Sequence, residues 1–284
     1  MSQRWVMGRD GVRLWASERG SGPTIVVPGS ALVEEDLTPL YDEFRVISYD
    51  IRNRGRSDAV PKDGQVGLPI ELDDIESVRR EFNLDSFSLI GWSYLGAEVA
   101  LYAARHPPGL RRVVMICPIP PRELPPSDRM TSYQQRFSEA VAGYEAWCAS
   151  SSSNAELDPV QVAKAFYDGT TPLAMGDPGA YVNRRSDPSI YPNEWPEHMR
   201  VALRRVGETF DPAGYDYRSM CTEVQVPVLV VHGDADRIPL DGSREWVGSF
   251  PNARLMRVPG VGHFPFVEAP DQLFPALSTF LSEP

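Results

Sequence analysis

The chain has 284 residues, of which 42% are hydrophobic, and a formal net charge of −11 at pH 7. This length is enough for one large α/β domain, or for one domain with an insertion. The acidic balance, with no basic stripe, argues against nucleic acid or an anionic membrane as a partner. The sequence shows neither a signal-peptide-like start nor a run long enough to cross a bilayer, so we expect a cytoplasmic protein.

Strands and helices are predicted to alternate over the first 118 residues. A hairpin with its turn at Asp10-Gly11 comes first. It is followed by strands at 24–30 and 44–52, a helix at 68–84, a strand at 86–91, a helix at 93–107 and a strand at 111–118. Continuous apolar strands that alternate with helices are typical of a parallel sheet covered on both faces.

The alternation stops after residue 118. From 119 to 223 there is no clear strand, only helical patches in a sequence rich in Pro, Ser, Asp, Trp and Tyr. The pattern then resumes with a strand at 226–232, a helix at 243–250, a strand at 253–258 and a final helix at 270–281 that contains Pro275. We interpret 1–118 and 224–284 as one core domain and 119–223 as an inserted helical cap. Such a cap can lie over the strand ends, where α/β sheets bind ligands.

Three residues with reactive side chains each follow a predicted strand. Ser93 follows the strand at 86–91, Asp236 the strand at 226–232, and His263 the strand at 253–258. A parallel sheet places the carboxyl ends of its strands at one edge, so these side chains can converge. The chain order Ser, Asp, His is that of the α/β-hydrolase triad and differs from the two other common serine-hydrolase orders.

Five segments in the same order resemble the α/β-hydrolase superfamily. They are VVPGS, SYDIRNRGRSD, LIGWSYLGAEVALYAARHP, VPVLVVHGDADRIP and PGVGHFPFVEAP, and they span nearly everything outside the predicted cap. The capped branch with proline iminopeptidases and small-molecule ester or carbon–carbon bond hydrolases is the most similar. The resemblance implies the α/β-hydrolase fold, a mostly parallel sheet with helices on both faces and an inserted helical cap.

The resemblance also implies roles for the three reactive residues. Ser93 would be the nucleophile, His263 the general base, and Asp236 the acid that orients the imidazole. The family pattern places the acid three residues after the glycine of HGDAD, which favours Asp236 over Asp234. Asp234 is then expected to be a turn residue whose side chain bonds nearby backbone.

Backbone N–H groups complete the site that the resemblance implies. Those of Ser30 and Tyr94 would bind the oxyanion, and Leu32 and Trp92 would flank the substrate. No metal ion or organic cofactor is expected. The cysteines have neither metal nor disulfide spacing, and they are predicted to be buried free thiols at Cys117, Cys148 and Cys221.

The sequence departs from the family pattern at three places. Pro28 stands where the family usually has histidine, and Asn53 replaces a glycine, although asparagine tolerates left-handed backbone. Leu95 stands where the nucleophile turn usually has a small residue, and the small residue comes one place later, at Gly96. Either the helix closes against the sheet at Gly96, or Leu95 fills space left by a smaller partner. A simple capping serine remains an alternative for Ser93.

The combined pattern predicts a serine hydrolase that forms an acyl-enzyme with a small-molecule ester, lactone or related carbonyl compound, secondary metabolites included. An alternative is a proline iminopeptidase-like enzyme, which would bind a free amine through carboxylates. The candidates for that role are Glu34, Glu35, Glu194 and Glu208. A second alternative is a non-catalytic ligand-binding homologue that keeps the triad.

The aromatic residues of the predicted cap are expected either to line an apolar pocket or to form the core of the cap itself. The oligomeric state stays open.

Overall fold

The computed structural model describes residues 2–60, 67–151, 158–195 and 214–283, and its centre is an eight-stranded sheet. The strands are β1 Ser2–Met7, β2 Arg13–Arg19, β3 Thr24–Pro28, β4 Arg45–Tyr49, β5 Phe87–Trp92, β6 Leu110–Ile116, β7 Val228–Gly233 and β8 Ala253–Val258. Their spatial order is β1-β2-β4-β3-β5-β6-β7-β8. The β1–β2 and β2–β4 pairs are antiparallel and the others are parallel, which confirms the hairpin and the mostly parallel sheet.

The helices of the described residues connect these strands, lie between β6 and β7, or follow β8. They are α1 Ser30–Val33, α2 Leu68–Glu81, α3 Tyr94–Ala103, α4 Asp128–Ser151, α5 Pro159–Thr170, α6 Leu240–Ser249, α7 Pro265–Glu268 and α8 Pro270–Ser282. The last helix contains Pro275, as expected. Within the described ranges, no helix combines the length and apolar character needed to span a bilayer.

The hydrophobic core lies on both faces of the sheet. Successive strand residues point to opposite faces, so Leu89 belongs to one buried cluster and Ile90 to the other. The first cluster includes side chains from α2, α3 and α6, and the second includes side chains from α1 and α8. Two-sided burial explains why the central strands read as continuous apolar runs.

The part of the chain between β6 and β7 adds helices, not sheet strands, in the residues described. It contains α4, α5 and several short 3₁₀ turns, and its one β-feature there is an isolated bridge between Arg122 and Asp216. Phe166 and Tyr167 of α5 pack against Phe137 and Tyr144 of α4. The division into a core and a cap stays a prediction about domain organisation.

Candidate active site

Ser93 occupies a sharp turn between β5 and α3. Its backbone has φ 60° and ψ −127°, a combination that costs a non-glycine residue about 1–3 kcal/mol. Its N–H donates to the Ile116 carbonyl at 2.9 Å, and its carbonyl accepts from the Gly96 N–H at 3.0 Å. The hydroxyl makes no capping hydrogen bond to α3. The turn therefore holds the Ser93 side chain away from the helix, unlike a capping serine.

The neighbours of this turn explain why a leucine is accepted at position 95. A Cβ atom on Gly91 would collide with the Leu95 carbonyl, and one on Gly96 would lie 3.1 Å from the Cβ of Pro118. The tight approaches are therefore at positions 91 and 96. The Leu95 side chain is fully buried beside Gly29, where a Cβ atom would lie 2.5 Å from its Cδ1. The helix therefore closes at Gly96, which is one of the two explanations that the sequence offered, and the Leu95 side chain occupies the space beside Gly29.

The three reactive side chains meet at the carboxyl edge of the parallel strands. His263 Nε2 lies 3.0 Å from Ser93 Oγ, and His263 Nδ1 lies 2.8 Å from Asp236 Oδ2. His263 and Asp236 are 1% and 2% exposed. The second oxygen of Asp236 accepts the Ile238 N–H at 3.1 Å. The result is a continuous hydrogen-bonded chain from the Ser93 hydroxyl, which lines the cavity, to a buried carboxylate.

Asp234 points away from this chain. Its carboxylate pairs with the exposed guanidinium of Arg257, at 2.8 and 3.0 Å. The expectation that its side chain bonds nearby backbone was wrong, because the adjacent strand β8 presents a cation within reach. Its location still distinguishes the two aspartates of this turn, since Asp236 alone reaches the imidazole.

The loop that carries His263 is fixed from two sides. Glu268 accepts the N–H groups of Gly262 at 3.1 Å and Phe264 at 3.2 Å, on either side of the histidine. Trp92 Nε1 donates to the His263 carbonyl at 2.7 Å, and the two rings lie 5.1 Å apart. Trp92 thus supports the histidine as well as lining the adjacent cavity. The sequence analysis did not single out Glu268.

The electrostatic surroundings set the protonation of this site. Burial lowers the pKa of His263 and the nearby Arg237 charge lowers it further, while Asp236 acts in the opposite direction. Burial acts to raise the pKa of Asp236, but His263, Arg237 and the Ile238 N–H hold it below its usual value. At neutral pH the imidazole is therefore neutral and the carboxylate ionised. In this state Nε2 can accept a proton from Ser93.

A metal ion does not suit these residues. Within the described ranges, the one cluster of potential ligands consists of Cys117, Asp236 and His263, whose ligand atoms lie within 4.8 Å of one another. Burial raises the pKa of the Cys117 thiol, and a metal ligand must be the thiolate. Asp236 and His263 are already bonded to each other. Of the other cysteines, Cys221 is a buried free thiol as predicted, whereas Cys148 is only half-buried.

The loop after β3 holds Ser30, one of the two residues whose backbone N–H groups are proposed to bind the oxyanion. Gly29 has φ 81°, so the chain turns sharply before Ser30. The Ala31 N–H donates to Asp50 at 2.6 Å and the Leu32 N–H to the Gly29 carbonyl at 2.9 Å. In the part of the chain described, the Ser30 N–H has no acceptor. The Ser30 side chain is buried against Glu34 and does not line the cavity.

A cavity of about 210 Å³ extends from Ser93 into the segment between β6 and β7. Tyr94 lines it, and the apolar and aromatic part of its wall includes Leu32, Trp92, Tyr133, Phe137, Phe166 and Tyr167. The last four belong to α4 and α5. The aromatic residues of this segment therefore do both things that the sequence left open, packing on one another and facing the cavity.

Carboxylates are missing from this wall among the residues described, and arginines are present. Glu34 and Glu194 are buried away from the cavity, and Glu35 pairs with Arg19 at 2.7 Å. Glu208 lies outside the described residues. Glu34 and Glu194 are each enclosed by hydrogen-bond donors; Glu194, for example, binds the Arg54 guanidinium. Neither carboxylate is therefore placed to bind a substrate amine in the cavity.

The arginines of the wall are Arg54, Arg184 and Arg237. The sequence analysis missed them as a set. Arg237 adjoins Asp236 in the sequence and Arg54 lies in the loop after β4, but Arg184 belongs to the segment between β6 and β7, with no motif around it. Only the fold brings the three together.

Comparison with known proteins identifies the family. The sequence profile of the α/β-hydrolase fold matches residues 28–270, and the chain belongs to this family, as its sequence predicted. It is 28% identical over 277 residues to a non-heme haloperoxidase of Rhodococcus erythropolis, a match that covers 91% of this chain and 92% of the relative.

The solved structures that share the fold include the following two. An esterase from Rhodococcus sp. ECU1013 has a TM-score of 0.73 at 21% identity, covering 100% of this chain and 99% of that one. A proline iminopeptidase from Mycobacterium smegmatis has a TM-score of 0.64 at 18% identity, covering 99% and 97%. At these identities the likeness concerns the fold alone.

Proposed function

We propose that the protein is a serine hydrolase that cleaves a small-molecule ester, lactone or related carbonyl compound through an acyl-enzyme at Ser93. The hydrogen-bonded chain from Ser93 through His263 to Asp236 is the observation that carries this proposal. A serine hydroxyl is a weak nucleophile at neutral pH, so it needs an adjacent base. The buried, neutral imidazole is such a base.

The reaction would proceed in two halves. Ser93 Oγ attacks the carbonyl carbon while its proton passes to His263 Nε2, and Asp236 stabilises the imidazolium that forms. The tetrahedral intermediate then collapses, the leaving group takes the proton from His263, and the acyl group stays on Ser93. Water attacks this ester by the same route, which releases the acid and restores the Ser93 hydroxyl.

Two backbone N–H groups would stabilise the negative oxygen of each tetrahedral intermediate. One is that of Tyr94, which directly follows the nucleophile at the start of α3. The other is that of Ser30, since its neighbours Ala31 and Leu32 already donate to other acceptors. Losing one such donor typically costs about 3 kcal/mol of transition-state stabilisation.

Active-site labelling tests this proposal. A fluorophosphonate probe followed by peptide mass mapping should modify Ser93 in the native protein and leave Ser93→Ala unmodified. Ser86→Ala is the matched control, because Ser86 is exposed just before the same strand, and it should label like the native chain. A folded protein that takes no label, or takes it elsewhere, contradicts the proposal and supports the non-catalytic ligand-binding alternative.

The cavity wall bears on the iminopeptidase alternative. Recognition of a free amine calls for carboxylates, whereas the charged side chains on the wall, within the described ranges, are arginines. We therefore expect slow release of proline from proline-β-naphthylamide compared with hydrolysis of a p-nitrophenyl ester. Equal rates on the two substrates would favour the iminopeptidase instead.

A further inference from the structure

The three arginines of the cavity wall differ in how many hydrogen-bond acceptors surround their guanidinium groups. Arg54 forms a two-bond ion pair, since its Nε donates to Glu194 Oε1 at 2.9 Å and its Nη2 to Glu194 Oε2 at 2.5 Å. Tyr167 and the Gly55 N–H complete the shell of that carboxylate. Arg54 therefore joins the loop after β4 to the segment between β6 and β7, and the Glu194 carboxylate already balances its charge.

Arg237 has no comparable partner. Its guanidinium makes no hydrogen bond to any described residue, and its Nη1 is buried without an acceptor. It lies 4.6 Å from the centre of the Tyr133 ring, with its side chain 20% exposed. The nearest carboxylate oxygen is Asp236 Oδ1 at 4.0 Å, and that aspartate already bonds to His263 and the Ile238 N–H.

Arg184 is more deeply buried than Arg237, and its guanidinium also lacks acceptors for some of its N–H groups. Its side chain is 5% exposed, and its one hydrogen bond runs from Nη2 to the Leu32 carbonyl at 3.2 Å. Nε is buried without an acceptor, 4.0 Å from Asp36 Oδ2. Asp36 is itself engaged by the N–H groups of Arg185 at 2.7 Å and Ser186 at 3.3 Å.

These arginines are unusual for a cavity that is otherwise largely apolar. A guanidinium stays charged at all accessible pH values and carries five N–H donors. Buried donors without acceptors cost free energy, and a charged donor costs more than a neutral one. A planar carboxylate fits the guanidinium fork with two parallel hydrogen bonds and removes that cost.

We propose that the substrate carries a carboxylate in addition to the bond that is cleaved, and that Arg184 and Arg237 bind this carboxylate. The inference rests on the proposed function and narrows its substrate class to acidic esters or lactones. A negatively charged substrate is compatible with the net charge of −11, because the charged side chains on the wall, among the described residues, are arginines. The apolar and aromatic wall then takes the carbon skeleton between the two ends.

Matched esters test the inference. Monomethyl esters of succinate, glutarate and adipate are compared with methyl esters of the monocarboxylic acids of equal chain length, following methanol release. A second pair, 4-acetoxybutyrate and butyl acetate, is followed by acetate release and places the carboxylate on the alcohol side. At least one acidic ester should exceed its neutral partner about 10- to 100-fold in kcat/KM, the range of a charge-assisted bidentate contact.

Variants identify the residues responsible. Arg237→Gln and Arg184→Gln should each lower the ratio of kcat/KM for the preferred acidic ester to kcat/KM for its neutral partner at least about tenfold. The ratio is the measure because the Arg237 charge also lowers the pKa of His263, so its loss changes the rate on both esters. Lysine at either position should restore only part, because it lacks the planar fork. The matched controls are Arg185→Gln and Arg244→Gln, whose side chains are exposed and bond Thr38 and Asp241. Both should behave like the native chain, and thermal melts verify folding.

The outcomes separate this inference from the proposed function. If Ser93 takes the fluorophosphonate and every neutral ester is cleaved as well as its acidic partner, the carboxylate site is refuted and the hydrolase stands. If Ser93 is labelled but no ester of the panel turns over, the test is how much each compound slows the labelling of Ser93. Monomethyl adipate should then slow labelling more than methyl hexanoate, which has no carboxylate, and equal protection refutes the site. Failure of Ser93 to label refutes the proposed function itself.

Discussion

Replacement of Asp236 by asparagine tests the proposed chemistry most sharply. In the native chain, Asp236 Oδ2 receives the Nδ1–H of His263, and Oδ1 receives the Ile238 N–H at 3.1 Å. An asparagine keeps the Ile238 contact through its amide oxygen, so its NH₂ group points at Nδ1. The imidazole then carries its proton on Nε2, the atom that must accept the proton of Ser93. The shape of the site is therefore preserved, but His263 is held in the tautomer that cannot accept the proton of Ser93.

The expected magnitude follows from this tautomer change. In a serine protease triad the equivalent substitution lowers turnover about ten-thousandfold. Four factors of ten correspond to about 5 kcal/mol of transition-state free energy. The free energy of unfolding should change by less than about 2 kcal/mol, because the two buried hydrogen bonds are remade by the amide.

Asp234→Asn is the control for the same turn. It breaks the ion pair with the exposed Arg257, whose side chain is 51% exposed, and such pairs are worth about 0.2–1 kcal/mol. Its kcat/KM should stay within about threefold of the native value, since no group near the reacting atoms changes. Both variants are assayed on one p-nitrophenyl ester alongside thermal melts. An inactive Asp234→Asn with an active Asp236→Asn would show that the acid of the triad is misassigned.

Two further predictions concern the core beneath the nucleophile. Leu95→Ala should cost about 2–5 kcal/mol of unfolding free energy, because it empties a buried site, yet leave ester hydrolysis within about tenfold. Loss of activity in a protein that melts normally would show instead that Leu95 shapes the site. Glu98 is fully buried, and neither of its carboxylate oxygens has a hydrogen-bond partner among the described residues. Burial raises the pKa of Glu98 well above its usual value, and it raises the pKa of Glu71 to about 7. The folded state therefore keeps protons that the unfolded chain releases above about pH 4.5, so stability should fall as pH rises from 5 to 7, by about 1.4 kcal/mol per pH unit for each proton retained. Urea unfolding of Glu98→Gln should show a shallower fall and greater stability at pH 8, whereas the exposed control Glu139→Gln should follow the native curve; identical slopes in all three would contradict the assignment.

The sequence alone determined the order of elements and the candidate triad. Apolar runs report two-sided burial, and the strand ends that carry Ser93, Asp236 and His263 follow from that order. The sequence also indicated a left-handed backbone conformation at Asn53, where asparagine replaces a glycine, and Asn53 has φ 64°. Element boundaries were less accurate. The helix predicted at 93–107 spans Tyr94–Ala103, because periodicity persists beyond the point where backbone geometry ends a helix.

Tertiary structure decided everything that depends on which side chains meet. Leu95 fits because Gly29, 66 positions earlier, leaves room beside it. Glu194 is a buried partner of Arg54, 140 positions away, and not an amine-binding surface carboxylate. Arg184 and Arg237, whose guanidinium groups lack acceptors for some of their N–H groups, line one cavity although 53 positions separate them. Local pattern encodes conformation and burial, but pairing across such separations is fixed only when the packed core brings the strand ends together.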